Sequence, residues 1–237
     1  MASKLLPHIP EHQLWVELFF GAGGMYFNKP RAPRSIVNDL DSEVYNLFCV
    51  IQDRSKELEE AWCSTPIHDD LWKAWKKSAP TDPVWRAVRF LLVSNFGFLG
   101  LPQTLKLNNK NAKRLLYHRI GQTRDAFFDT EFLHCDFRQV LCRIPMSKSE
   151  RMNAFVYADP PYLDTKCNYN DASTWKEKDT RDLFEELVSS GLRFGISEFD
   201  HPVVLALAKQ YGLRVITIGE RHNLRNKRTE IYITNVD

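Results

Sequence analysis

An unbroken apolar pentad, Ala154-Phe155-Val156-Tyr157-Ala158, runs straight into Asp159-Pro160-Pro161-Tyr162. Proline has no amide hydrogen and holds φ near −65°, so two in succession end a strand and fix the direction of the chain behind it. The pentad therefore reads as a buried strand whose end presents a carboxylate, a rigid carbonyl and an aromatic ring. Taken alone, the tetrapeptide also fits a plain Pro-Pro turn, with Asp159 as a turn residue and Tyr162 as packing.

The rest of the chain supplies the architecture. Strand candidates lie around residues 14–20, 34–38, 132–135, 154–158, 192–197, 213–218 and 229–235, and helices alternate with most of them. One helix is predicted from Ser42 to about Glu60, with Val44, Leu47, Phe48 and Ile51 on one face. A second covers Asp179 to Ser190 and stops at Gly191, and a third starts at Asp200 as N-cap, carries Pro202 in its first turn and ends at Gly212. Such alternation predicts an α/β fold, a Rossmann-like, mostly parallel seven-stranded sheet with its sites at the carboxyl ends of the strands. The last two strands are too close in sequence for a helical crossover, so an antiparallel terminal hairpin at the sheet edge is expected. Between Ala61 and about Asp129 the alternation fails. Trp62, Trp72, Trp75 and Trp85 lie in helix-like stretches broken by Pro66, Pro80 and Pro83, which predicts a small helical insertion over 63–129 beside a core made of 1–62 and 130–237.

Within the core, Leu14 to Phe20 leads into Gly21-Ala22-Gly23-Gly24. The third glycine of a dinucleotide fingerprint would fall at Tyr26, which favours a ligand without a pyrophosphate. Ser35-Ile36-Val37-Asn38-Asp39 reads as a second strand ending in an acid, about 20 residues after the first glycine, where a carboxylate can hold ribose hydroxyls. Glu17 lies in an otherwise apolar strand and needs a partner, for which a ligand ammonium serves. Ribose and ammonium without phosphate describe S-adenosylmethionine. The plainer alternatives are a tight turn chosen for packing and Asp39 as a helix N-cap.

Asp159 and Tyr162 then acquire a chemical reading. An exocyclic amine on a flat base is a poor nucleophile because its lone pair is delocalised into the ring. The Asp159 carboxylate and the Pro160 carbonyl can each accept one amino hydrogen, and Tyr162 can stack on the base. A base inside a duplex cannot reach such a pocket, so the reading implies base flipping or a single-stranded substrate.

Charge and composition narrow the partners. The net charge of the 237 residues is only +2, yet Thr104 to Arg124 carries Lys106, Lys110, Lys113, Arg114, Arg119 and Arg124 and no acid. Arg221, Arg225, Lys227 and Arg228, with His222, form a second basic cluster. A local patch suffices to attract a phosphate backbone, the alternative being a solvated charged face. No apolar run approaches the roughly 20 residues of a membrane span, and no apolar signal region is present, so a cytoplasmic location is expected. The five cysteines lack the close pairing of a zinc site; reduced thiols and no metal are the expectation. No Pro-Cys pair occurs, which counts against a thiolate-based cytosine mechanism.

Together these segments resemble the Dam-like DNA adenine-N6 methyltransferases. The resembling pieces are Val16 to Gly24, Val37 to Asp41, Cys135-Asp136-Phe137, Asp159 to Tyr162 and Ile231 to Asn235, in the family's order with the cofactor motifs first. The resemblance implies S-adenosylmethionine as methyl donor and S-adenosylhomocysteine as product, double-stranded DNA as partner, and the N6 amine of a flipped-out adenine as acceptor. It gives Asp159, Pro160, Pro161 and Tyr162 to catalysis. Glu17, Gly21 and Gly23 would hold the methionine part of the cofactor, Asp39 the ribose, and Asp136 with Phe137 the adenine, with Phe19, Phe20, Ala22 and Leu40 alongside. Asn95, in a segment similar to the family's Asn-x-x-Gly-Phe, joins Lys106, Lys110, Lys113, Arg114, Arg119, Arg225, Lys227 and Arg228 as expected DNA contacts. Two departures stand out. The family's Gly-Gly-Lys element ahead of Ser-Lys-Leu, which closes over the cofactor, is not seen before Ser3-Lys4-Leu5, which leaves the strength of cofactor binding open, and Ile196 to Asp200 matches a Ser-Asn-Ser-Asp pattern only loosely and is left outside the site. The competing readings are a methyltransferase of the same fold acting on an RNA base or a protein amide, and a catalytically idle DNA-binding relative.

Overall fold

The computed structural model describes residues 2–98, 101–105, 111–163, 175–222 and 227–236. From the N-terminus, the short helix α1 (Ala2–Leu5) precedes strands β1 (Leu14–Glu17) and β2 (Arg34–Asn38). Helices α2 (Ser42–Asp53), α3 (Ser55–Ser64), α4 (Asp69–Lys77) and α5 (Pro83–Phe96) follow, then a two-stranded hairpin, β3 (Gly97–Phe98) and β4 (Leu101–Leu105), and α6 (Ala112–Ala126). The chain continues through β5 (Thr130–Leu133), α7 (Val140–Arg143), α8 (Lys148–Met152), β6 (Ala154–Ala158), α9 (Glu177–Ser190), β7 (Arg193–Phe199), α10 (Pro202–Gln210), β8 (Arg214–His222) and β9 (Lys227–Thr234).

Two compact units result, one from residues 1–41 with 130–237, the other from 42–129. The first holds the seven-stranded sheet in the order β5-β2-β1-β6-β7-β9-β8. β1 pairs in parallel with both β2 and β6, and β6 with β7; β9 runs antiparallel to β7 and β8, so the expected edge hairpin is present. Burial on both faces explains why these strands read as continuous apolar runs. Leu14, Val16, Val156, Phe194 and Ile196 belong to one core with Leu183, Phe184 and Leu187 of α9 and Val204, Leu207 and Ala208 of α10. The alternate residues Trp15, Phe155 and Tyr157 are equally buried, and the Trp15 ring stacks on both neighbours. Burying each large apolar side chain contributes roughly 1.5–3 kcal/mol, so β1 and β6 are fixed firmly at the sheet centre.

The second unit is a helical lobe with its own core, which includes Leu58, Trp62, Trp72, Val88, Leu92 and Phe96. It begins two helices earlier than the expected boundary at 62/63. α2 packs with α5 and α3 with α5 and α6, and the Phe48 ring meets the Phe127 ring edge-on at 5.1 Å. The single helix expected over 42–60 is two, because Arg54 leaves helical geometry (φ −131°, ψ 33°) and pairs its guanidinium with Glu57. The helix after β7 is capped by His201, whose ring accepts from the Val203 amide, rather than by Asp200.

Candidate active site

β1 lies between β2 and β6 with Glu17 level with Val37 and Tyr157. The glycine turn after β1, Asp39 after β2 and Asp159 after β6 therefore open at the same end of adjacent parallel strands, where the order of the sheet reverses. Asn38 fastens this end. Its buried amide donates to the carbonyls of Leu18 and Cys135, each at 3.0 Å, and its oxygen accepts from the Cys135 amide at 3.1 Å.

Asp39 is tied directly to the glycine turn. Its Oδ2 accepts from the Gly21 amide at 2.6 Å and its Oδ1 from the Asp41 amide at 2.8 Å. Burial raises the Asp39 pKa, and those two amides oppose the rise. Gly21 and Gly23 both have positive φ, 52° and 69°, but for different ends. A side chain at Gly21 would meet nothing within 4 Å, whereas one at Gly23 would strike the rings of Phe27 and Phe20 at under 3 Å. The open side of the turn is at Gly21; Gly23 makes room for aromatic packing. Phe20 is correspondingly buried, while Ala22 and Leu40 are exposed.

Glu17, only 2% exposed, accepts from the Trp15 indole at 3.0 Å. Desolvation pushes its pKa up to about 8, repulsion from Asp159 and Asp39 adds to the rise, and the Trp15 bond and the Lys29 charge oppose it. Lys29 is itself buried, donates to the Pro30 carbonyl at 3.0 Å and lies over the Trp15 ring at 4.7 Å. Burial lowers its pKa to about 8 against the pull of Glu17. Glu17 and Lys29 thus act on each other electrostatically.

Asp136 caps the turn that follows β5, and Phe137 is buried in an aromatic trio with Phe19 and Trp175, ring centroids 5.4–5.5 Å apart. The Asp136 carboxylate also pairs with Arg138, whose guanidinium reaches Asp179 and Asp182 of α9 and covers the Phe137 ring at 4.4 Å.

Asp159 follows β6 with Pro160 buried beside it. Burial, then the charge of Asp159 and a hydrogen bond to it, drive the Tyr162 phenol far above its usual range, and the Tyr162 ring meets Phe199 edge-on at 4.6 Å. Glu198 is 2% exposed and accepts from the Leu163 amide at 3.0 Å. Sequence reasoning passed over Glu198, Lys29, Asn38 and Arg138; the signal for Glu198 was the same as for Glu17, an acid inside an apolar strand.

The expected DNA contacts divide. Lys106, Lys110 and Arg225 lie outside the described residues. Arg114 and Arg119 are exposed on α6. Lys113 is not available in the same way, because its ammonium donates to the carbonyls of Cys63 and Thr65 at the end of α3. Asn95 donates back to Leu91 within α5. Lys227 sits in β9 opposite His222, and Arg228 contacts the Leu163 carbonyl at 3.4 Å and the Phe199 ring at 5.3 Å.

The sheet order is that of a Rossmann-like α/β fold with an antiparallel hairpin at one edge. A sequence model of the D12 class N6 adenine-specific DNA methyltransferases matches residues 1–220, and the chain belongs to that family. It is 26% identical over 272 aligned residues to the type II methyltransferase M1.LlaDCHI of Lactococcus lactis subsp. cremoris, covering 98% of this chain and 91% of that protein. The DNA adenine methylase of Salmonella typhi is 25% identical over 217 residues, 81% of this chain and 74% of the other. Among solved structures, the N-terminal domain of human METTL16 in complex with SAH matches all of this chain and 68% of its own, at 11% identity and a TM-score of 0.46.

Proposed function

We propose that the chain binds S-adenosylmethionine against the Gly21 turn and Asp39, and methylates the N6 amine of an adenine everted from double-stranded DNA at Asp159. The observation that carries this reading is the pairing of β1 with β6, which opens the glycine turn and the Asp-Pro-Pro-Tyr segment at one sheet end. The open space beside Gly21, next to an acid already fixed to that turn, supports placing the ribose and methionine parts of the cofactor there.

When bound, the cofactor supplies an electrophilic methyl group on a sulfonium sulfur. The protein supplies position and electrostatics. Asp39 retains lone pairs for ribose hydroxyls beyond those used by Gly21 and Asp41. Phe19, Phe137 and Trp175 offer an aromatic wall for the adenine moiety. Asp159 and the Pro160 carbonyl accept the two amine hydrogens, turning the nitrogen lone pair out of conjugation, and Asp159 stabilises the positive charge that develops on nitrogen. The two prolines contribute no competing N–H. Tyr162, steadied by Phe199, stacks on the everted base. The helical lobe, through Arg114 and Arg119, grips the phosphate backbone.

The test is incubation of the protein with S-adenosylmethionine and double-stranded DNA of varied sequence, with RNA and protein as parallel substrates. N6-methyladenine at one sequence context in DNA is the expected product. Folded protein that methylates none of the DNA, or prefers RNA or a protein amide, overturns the reading.

A further inference from the structure

Glu198 is a buried acid with no part in the chemistry above. It stands near the end of β7, the strand beside β6. One carboxyl oxygen accepts from the Leu163 amide at 3.0 Å, and the other, Oε2, is buried without a hydrogen-bond partner among the described residues. Pro160 and Pro161 have no amide hydrogen, so the first amides behind Asp159 able to pin this segment belong to Tyr162 and Leu163. That of Leu163 goes to Glu198. Phe199, the next residue, sets the edge of the Tyr162 ring, and Arg228 of β9 reaches the Leu163 carbonyl and the Phe199 ring. Leu163 is thereby held at both its N–H and its carbonyl, and two successive residues of β7 hold two successive residues of the catalytic segment.

We propose that Glu198 is a positioning residue for methyl transfer, fixing Leu163 so that Tyr162 and the rigid Pro-Pro unit present ring and acceptors in register with the amine. The proposal rests on the functional reading given above. The charges facing Glu198 are compatible with it. Burial, helped by Asp159, pushes its pKa up to about 8, while the Leu163 and Phe199 amides and Arg228 pull the other way. Tyr162 in turn feels the charges of Glu230 and Glu198. A carboxyl kept mainly neutral can hold an amide without setting a second anion beside Asp159.

Glu198→Met keeps the volume and removes the acceptor; Glu198→Gln keeps an acceptor oxygen. In the Met variant, Leu163 amide exchange followed by NMR is expected to accelerate at least ~10-fold, and single-turnover methylation at saturating DNA and cofactor to slow at least ~10-fold with cofactor affinity within about twofold of wild type. The Gln variant should recover most of both losses. Unchanged Leu163 exchange in a folded Met variant, a defect confined to cofactor affinity, or a Gln variant as poor as Met would each overturn the proposal. If Met prevents folding, the Gln variant decides, since fast Leu163 exchange or slow transfer there refutes it. Should the wild-type protein methylate no DNA, the functional reading falls, and Leu163 exchange still decides whether Glu198 holds the segment.

Discussion

The Asp39 carboxylate accepts the Gly21 amide hydrogen at 2.6 Å, joining the acid after β2 to the turn after β1. One side chain thus shapes the turn and, on the proposed reading, also meets the cofactor ribose, and two substitutions of graded severity weigh the two duties. Asp39→Asn keeps one acceptor oxygen, enough for the Gly21 amide, but turns an NH2 toward the Asp41 amide and loses the charge that would strengthen bonds to ribose hydroxyls. Cofactor affinity should fall roughly 10- to 100-fold, equivalent to about 1.5–3 kcal/mol, with a smaller loss of thermal stability than in Asp39→Ala. Asp39→Ala should lower both, because the Gly21 amide loses its partner. Calorimetric titration and thermal melting of the two variants provide the check, and undiminished affinity in both removes Asp39 from ribose binding.

Gly21 and Gly23 should respond differently to alanine. Both carry positive φ, at a cost of about 1–2 kcal/mol for any other residue. Only at Gly23 does the added carbon also collide with Phe20 and Phe27, which adds about 1–3 kcal/mol of overpacking. Gly23→Ala should therefore be the less stable in urea, while Gly21→Ala should lose more cofactor affinity at comparable fold integrity. Equal destabilisation of the two would contradict the division of labour.

Glu17 predicts a pH dependence of stability. Its folded pKa, about 8, lies above the ordinary value of 4.5. Between those values the folded protein holds a proton that the unfolded chain has released, so the contribution to stability falls as pH rises through the window and is flat outside it. Relative to Glu17→Gln, the wild type should lose at most about 1.4 kcal/mol per pH unit between pH 5 and 8. Lys29 works oppositely and higher: with its pKa lowered from 10.5 to about 8, its contribution rises with pH across that interval. Urea unfolding of wild type, Glu17→Gln and Lys29→Met from pH 5 to 10 measures both. A difference between wild type and Glu17→Gln that stays constant from pH 5 to 8 would show that Glu17 keeps an ordinary pKa.

Asp159 should separate chemistry from cofactor binding. On the proposed reading Asp159→Ala removes the anion that accepts an amine hydrogen and supports positive charge on nitrogen, for which a loss of at least ~100-fold in the transfer rate is expected. Cofactor affinity should stay close to wild type, since the contacts of Gly21 and Asp39 remain. Single-turnover rates beside calorimetric titration test both halves, and a variant that transfers methyl at the wild-type rate would take Asp159 out of its role.

What could be read from the sequence follows from how far each interaction reaches along the chain. β1 and β6 are legible because burial on both faces demands unbroken apolar runs, and two prolines mark the end of β6. Asp39 is legible because its strand ends there. Arg54 is not, since the break between α2 and α3 comes at a residue with acceptable helix propensity, whose φ of −131° nothing in the local sequence announces. The assignment of α2 to the helical lobe was hidden likewise, because an apolar helix face does not state which neighbour will cover it. Asn38, Lys29 and Glu198 are polar residues that the fold buries; the meaning of Asn38 and Glu198 lies in partners far along the chain, Cys135 and Leu163 among them.

Lys113 shows the same limit for charge. A basic run reads as a phosphate-binding face, yet its ammonium closes the end of α3 on the Cys63 and Thr65 carbonyls, whereas Arg114 and Arg119 stay exposed on α6. Each cation that neutralises a phosphate releases condensed counterions and steepens the fall of log K with log salt by about 0.9. Arg114→Gln with Arg119→Gln should therefore shallow that slope by roughly 2 and leave the melting temperature near wild type. Lys113→Met should do the reverse, lowering the melting temperature with the slope unchanged, because it strips the end of α3 of its donor. DNA affinities measured across a range of salt concentrations for the two variants distinguish them, and a shallower slope for Lys113→Met with intact stability would return Lys113 to the DNA-binding face.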